Sequence, residues 1–198
     1  LDFGCGGGRL LLKSAKKWPN SKLFGIEIMS NFQFPYFSRD IGEFWRRWHI
    51  SLSSWFRDYI YIPLGGSKNG RWIAIRNIFV IFILSGFWHG ANWTFVIWGL
   101  IHALLFIPLF MAGNNRQYIT NVVAQNSRLP SVKEIFQMGT TFFLTTIAWV
   151  FFRSETILNA FQYTHRMIAK LDFPSTNRSG IVFVFLLVMI DWLWRRND

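Results

Sequence analysis

The sequence predicts an α-helical integral membrane protein, a partial multi-pass helix bundle preceded by a short α/β-like leader. Three observations carry this expectation. No Asp, Glu, Lys or Arg occurs between Arg76 and Arg116, and Ile, Leu, Val, Phe and Trp fill most of that stretch. One membrane crossing needs about 20 such residues, so the stretch is roughly twice a single span and must be interrupted inside. The chain is also 52% apolar and 19% aromatic, with 22 Phe and 11 Trp, which suits lipid-facing surfaces and interfacial aromatic belts.

The formal net charge of +11 would fit a nucleic-acid partner in isolation. The basic residues lie between hydrophobic runs, however, as membrane-flanking charges do, so the expected partner is membrane lipid and no nucleic acid. A single cysteine, Cys5, excludes an intramolecular disulfide framework and any multi-cysteine metal site, and neither a metal nor a bound cofactor is expected.

Residues 1–28 differ in character from the rest. Leu1 to Phe3 would end a strand, Gly4 and Gly6 to Gly8 form a tight turn, Arg9 to Trp18 fit a helix, and Leu23 to Ile28 form a second strand carrying Glu27. A glycine turn lets backbone approach a nucleotide, and an acid farther along can bind ribose hydroxyls. The stretch resembles the opening β-α-β unit of a class I methyltransferase that uses S-adenosylmethionine. One such unit cannot bury a core, so the leader is expected to be a non-functional fragment.

From Asp40 to Phe56, Ile41, Phe44, Trp45, Trp48, Leu52, Trp55 and Phe56 recur at helical spacing and predict one amphipathic helix in the interface or at a bundle mouth. Glu43, Arg46 and Arg47 fall off its apolar face. His49 falls at the edge of that face, where by spacing alone it reads as a hydrogen-bonded boundary residue. Residues 57–66 are expected to be extended up to Pro63 and the Gly65-Gly66 pair, and residues 67–76 to form a short basic loop. This basic region before the first span belongs on the cytoplasmic side by the positive-inside rule.

Within the uncharged stretch the natural break is Gly86 to Asn92, leaving apolar runs at Ile78 to Leu84 and Trp93 to Met111. His89 therefore lies at a helix interruption inside a hydrophobic region, where a polar group is costly unless it lines a cavity or finds a partner. His102 is expected to face other helices as a hydrogen-bonded residue. A further span is predicted from Ile135 to Phe152, an amphipathic segment from Thr156 to Leu171 with a solvated or interfacial His165, and a last apolar run, short for a span, from Ile181 to Trp194.

Four ordered blocks then carry a family likeness: NFQFPYFSRD at 31–40, EFWRRWHISL at 43–52, WFRDYIYIPLGG at 55–66 and SGFWHGANW at 85–93, with AWVFFR at 148–153 in agreement. Residues 29–198 resemble the membrane-bound O-acyltransferase family, and within it the bacterial alginate O-acetyltransferase type. The resemblance implies an MBOAT-type helix bundle, of which this chain carries a part, in the bacterial cytoplasmic (inner) membrane. It also implies transfer of an acyl group, usually acetyl, from a thioester donor, acetyl-CoA or an acyl carrier, to a hydroxyl of an exported polysaccharide. An extracytoplasmic partner protein that completes the transfer fits an exported acceptor.

The family's near-invariant histidine matches His89, and the histidine of its WRRWH block matches His49. A sugar hydroxyl needs a base to accept its proton, and imidazole is the side chain whose unperturbed pKa of about 6.5 suits the task. His89 is thus the expected general base, His49 the expected orienting or oxyanion-stabilising group, and Asn92 a weaker substrate-orienting candidate. Arg46, Arg47 and Arg57 would attract an anionic donor or anchor the helix to headgroups. Two other readings stay open at this point: an inactive membrane fragment or scaffold, and a methyltransferase fragment supported by residues 1–28 alone.

Overall fold

A computed structural model describes residues 30–119, 121–170 and 179–195. The expected leader, residues 1–28, lies outside the described residues. Seven α-helices and no β-strands occur among the described residues: α1 (Ile41–Arg47), α2 (Ile50–Phe56), α3 (Arg71–His89), α4 (Trp93–Met111), α5 (Val132–Arg153), α6 (Ile157–Ala169) and α7 (Ser179–Trp194). Three of them, α3, α4 and α5, are long and apolar enough to cross a membrane. The helix α7 is apolar but shorter, as its sequence run suggests.

The uncharged stretch becomes an antiparallel hairpin of α3 and α4, and its tightest point is set by glycine. A Cβ at Gly86 would collide with the Phe95 carbonyl oxygen, and one at Gly99 with the Phe82 carbonyl oxygen. Small residues of this kind let backbones approach where lipid supplies no hydrophobic drive for helix association. The expected break is narrower than Gly86 to Asn92. The helix α3 runs through Gly86 to His89, because that glycine is a packing surface, and only Gly90 to Asn92 leave helical geometry. The helix α3 also starts earlier than expected, so the basic residues Arg71 and Arg76 are its first turns. The next helix begins at Trp93, where the sequence places it, with the Asn92 side chain accepting from Thr94 N at 3.1 Å.

Farther along, α4 packs on α5 and α5 on α6. The α5 start is fixed by a capping box in which Ser131 and Glu134 each bond the other's backbone. The Thr156 side chain caps α6 by accepting from Asn159 N at 3.2 Å. Trp98, Ala148, Phe151 and Ala160 form a buried cluster, and Ile78, Phe82 and Ala103 a second one. Trp45 packs against both.

The amphipathic stretch differs most from expectation. In place of one helix, α1 ends at Arg47 and α2 begins at Ile50, with His49 between them at a left-handed φ of 47°. The break is held from outside: Gln33 N donates to Arg47 O at 3.0 Å, Ile50 N to Asn31 O at 3.0 Å, and Ser51 N to Asn31 Oδ1 at 3.2 Å. The expected extended segment after Phe56 is instead a π-helical turn, Arg57–Tyr61, continued by turns with positive φ at Gly65 and Gly66.

Glu43, expected off the apolar face, is buried at 1% exposure. Arg39 Nε reaches its Oε2 at 3.0 Å and Arg47 Nη2 its Oε1 at 3.0 Å. The arginines in turn grip the connection between α4 and α5. Arg46 donates to Asn115 O at 2.8 Å and Tyr118 O at 3.2 Å, and Arg39 to Asn121 O at 2.6 Å. Arg46 and Arg47 are therefore tied to protein oxygens, rather than free for headgroups or a donor.

Two outcomes follow for stability. Replacing Gly99 with Val forces the hairpin apart and costs about 3 kcal/mol or more, read as a lower thermal unfolding midpoint in detergent, whereas Gly139→Ala, whose surroundings are open, leaves the midpoint nearly unchanged. Glu43→Ala strands Arg39 and Arg47 without their carboxylate and costs about 3–5 kcal/mol, read in the same assay as loss of folded protein.

Candidate functional site

The short turn Gly90 to Asn92 brings the end of α3 back over α4, so His89 faces the first turns of α4 and the end of α5. Its imidazole meets the rings of Trp98 at 5.4 Å and Phe152 at 4.9 Å, both edge to face. The left-handed turn at His49 swings that side chain toward the same place. A cavity of about 180 Å³ is lined by both His49 and His89, with Trp48, Trp98, Trp149 and Phe152 among its walls. The two histidines lie on separate elements, 40 residues apart in sequence (89 − 49), and the fold brings them together.

The backbone at His49 is itself informative. Positive φ is uncommon for a residue with a side chain, and such strain persists where surrounding contacts over-determine it. Here the Asn31 and Gln33 hydrogen bonds do so. The cost of the conformation is tolerated at the one position of this stretch that places an imidazole in the cavity. His49 Nδ1 is buried without a protein partner, as is Trp98 Nε1. Both residues line the cavity, and neither atom has a hydrogen-bond partner within the protein.

Asn92 is placed differently. Its Oδ1 caps α4 and its Nδ2 donates to Glu155 O at 3.0 Å, so the amide ties the turn to the start of α6 and does not line the cavity of the histidines. His102 is fully buried, with Trp45 Nε1 donating to its Nδ1 at 3.3 Å, in agreement with the expected interhelical hydrogen bond. His165 is exposed on α6, also as expected.

A second cavity, about 260 Å³, adjoins the first. Trp45, Leu52 and Ser85 line both. Its other walls are mostly apolar, with Ile78, Phe82 and Phe106, and its polar lining includes Arg57 and Arg116. Arg57 is paired with Asp58 at 2.7 Å on the surface, and that hydrogen bond holds the Asp58 carboxyl below its usual range. Sequence reasoning missed this cavity, because its walls come from four helices and the α4–α5 connection. Among the described residues, no group of three His, Cys, Asp or Glu side chains is placed to hold a metal ion.

Comparison with known proteins adds a family to this geometry. The family model described as MBOAT, membrane-bound O-acyltransferase family, matches residues 20–132. The protein named probable alginate O-acetylase AlgI of Pseudomonas syringae pv. tomato is 44% identical over 136 residues, which is 68% of this chain and 24% of that protein. The peptidoglycan O-acetyltransferase of Helicobacter pylori is 38% identical over 145 residues, 73% of this chain and 26% of its own length. The teichoic acid D-alanyltransferase of Bacillus subtilis is 42% identical over 92 residues, 43% of this chain and 23% of its own. The chain spans about a quarter of the length of the curated relatives it matches.

Proposed function

Because the chain belongs to the membrane-bound O-acyltransferase family, we propose that it forms the catalytic centre of a membrane enzyme that moves an acyl group from a thioester to a polysaccharide hydroxyl. The observation that carries this proposal is the shared cavity of His49 and His89. Acetyl is the favoured acyl group, in line with the names of the alginate and peptidoglycan relatives. The donor is acetyl-CoA or an acyl carrier thioester offered from the cytoplasmic face, and the acceptor is an exported polysaccharide, reached alone or through an extracytoplasmic partner protein.

In this scheme His89 accepts the proton of the acceptor hydroxyl as its oxygen attacks the thioester carbonyl carbon. A C–O bond forms and the carbonyl becomes a tetrahedral oxyanion, which an N–H of His49 stabilises. The intermediate collapses by breaking the C–S bond, and the proton held on His89 leaves with the thiolate, giving an ester and a thiol. No serine or cysteine needs to carry the acyl group. The aromatic walls keep bulk water away from the reacting carbonyl, which strengthens these charge interactions. The larger cavity suits the donor: its apolar walls accommodate an acyl thioester, and Arg116 on its lining complements a phosphate-bearing carrier group. An inner-membrane, multi-pass arrangement with the basic α1–α2 region on the cytoplasmic side agrees with that donor path.

His89→Ala in the full-length protein lowers acyl transfer by at least about 10²-fold while membrane insertion persists, measured as release of thiol from an acetyl thioester in isolated membranes; retained transfer would remove His89 from the mechanism. His49→Gln lowers kcat by about 10²-fold with a smaller effect on donor KM, and wild-type kinetics would return His49 to a structural role.

A further inference from the structure

Trp45 and His102 form a buried polar pair that the chemistry above does not use. The indole Nε1 donates to His102 Nδ1 at 3.3 Å, with ring centroids 4.9 Å apart and planes at 84°. His102 is 0% exposed and boxed by the rings of Phe44, Phe82 and Trp98. Since Nδ1 accepts, the imidazole proton is on Nε2, and that atom has no protein partner. A buried donor left unpaired is costly, and an apolar side chain of the same shape would avoid the cost. What an apolar residue would not supply is a directional bond on the indole. That bond selects one orientation of the Trp45 ring.

The orientation matters because of where the ring lies. Trp45, Leu52 and Ser85 are the residues common to the donor cavity and the histidine cavity, so an acyl group moving between the two passes them. Trp45 is the bulkiest of the three and packs against both buried clusters, which leaves its ring little freedom except rotation about its own side-chain bonds. We propose that Trp45, held by His102, sets the width of the passage between the two cavities and restricts transfer to short acyl groups, with His102 as a positioning residue. This inference rests on the acyl-transfer reading and deepens it by naming what selects the donor.

The test compares acetyl and butyryl thioesters as donors for the full-length protein in membranes, scored as the ratio of kcat/KM values. Trp45→Phe and His102→Phe each raise the butyryl-to-acetyl ratio about tenfold, and the double variant raises it no further than either alone, because both remove the same bond. His102→Asn, which returns an acceptor near the Nδ1 position, restores the wild-type ratio. Unchanged ratios, additive effects or failure of Asn to rescue overturn the inference. Where His102→Phe does not accumulate, Trp45→Phe and His102→Asn decide: a raised ratio in the first with a wild-type ratio in the second supports the inference, and any other pattern overturns it. Wild-type protein that transfers neither donor refutes the acyl-transfer reading and this inference with it, whereas wild-type transfer with unaltered selectivity in the variants refutes this inference alone.

Discussion

The close approach of α3 and α4 at Gly86 and Gly99 is the constraint on which the rest of the site depends. Each glycine lies against a carbonyl of the opposite helix, where any side chain would collide. Backbone contact at two levels fixes both the separation of the helices and their rotation. The rotation turns Trp98 and His102 inward and leaves Leu104 and Leu100 facing outward. It also sets His89 over the first turns of α4, since only Gly90 to Asn92 connect the helices. Had the pair been spaced by leucines, as in a wider membrane crossing, the aromatic walls of the cavity would not close around His89.

Onto this hairpin the α1–α2 segment is laid by ionic and hydrogen-bonding contacts rather than by apolar area alone. Glu43 is the hub: buried itself, it orients Arg39 and Arg47, and Arg39 reaches on to Glu134 at 3.4 Å and the Asn121 carbonyl. A buried ion pair of this kind is weak as a source of net stability but strong as a device for specifying position. The position it specifies is that of Trp45, Trp48 and His49, which follow within two turns. Geometry at the cavity is thus set from two directions, by glycine packing within the membrane and by a polar clasp at its edge.

The span Trp93–Met111 was legible in the sequence, since it begins and ends where hydropathy and the Asn92 cap place it, whereas Arg71–His89 runs past the expected Ile78 to Leu84 at both ends. His89 was legible from its polar character within an apolar run. The break at His49 was not, because Trp48 and His49 carry no helix-breaking chemistry, and the hydrogen bonds that impose it come from Asn31 and Gln33. The burial of Glu43 escaped for a related reason. Arg39 and Arg47 are visible at i−4 and i+4, but the loop carbonyls of Asn115, Tyr118 and Asn121, which accept from Arg46, Arg39 and Arg47, lie 69 to 82 residues away in sequence. Periodicity reports which residues share a face and is silent on which distant groups will satisfy them.

Hydrogen-bond accounting bears on the role of the cavity. Several buried polar side chains are closely matched: Asn77 donates to the carbonyls of Leu64 and Gly66, and Thr145 to that of Thr141. The buried side-chain atoms without a protein partner are few among the described residues, and they are unevenly spread. His49 Nδ1 and Trp98 Nε1 belong to residues that line the cavity of the histidines, Thr94 Oγ1 and His102 Nε2 lie one helical turn to either side of Trp98 on the same face of α4, and Asp40 Oδ2 and Arg46 Nε lie in α1 and its cap. Each such atom costs about 1–3 kcal/mol if left unpaired in an apolar interior. His49 and Trp98, which line the cavity of the histidines, thus keep hydrogen-bonding capacity that a bound polar group can take up. An acceptor hydroxyl and a thioester carbonyl are groups of that kind, and donors already in place before they arrive need no reorganisation when charge develops on the carbonyl oxygen.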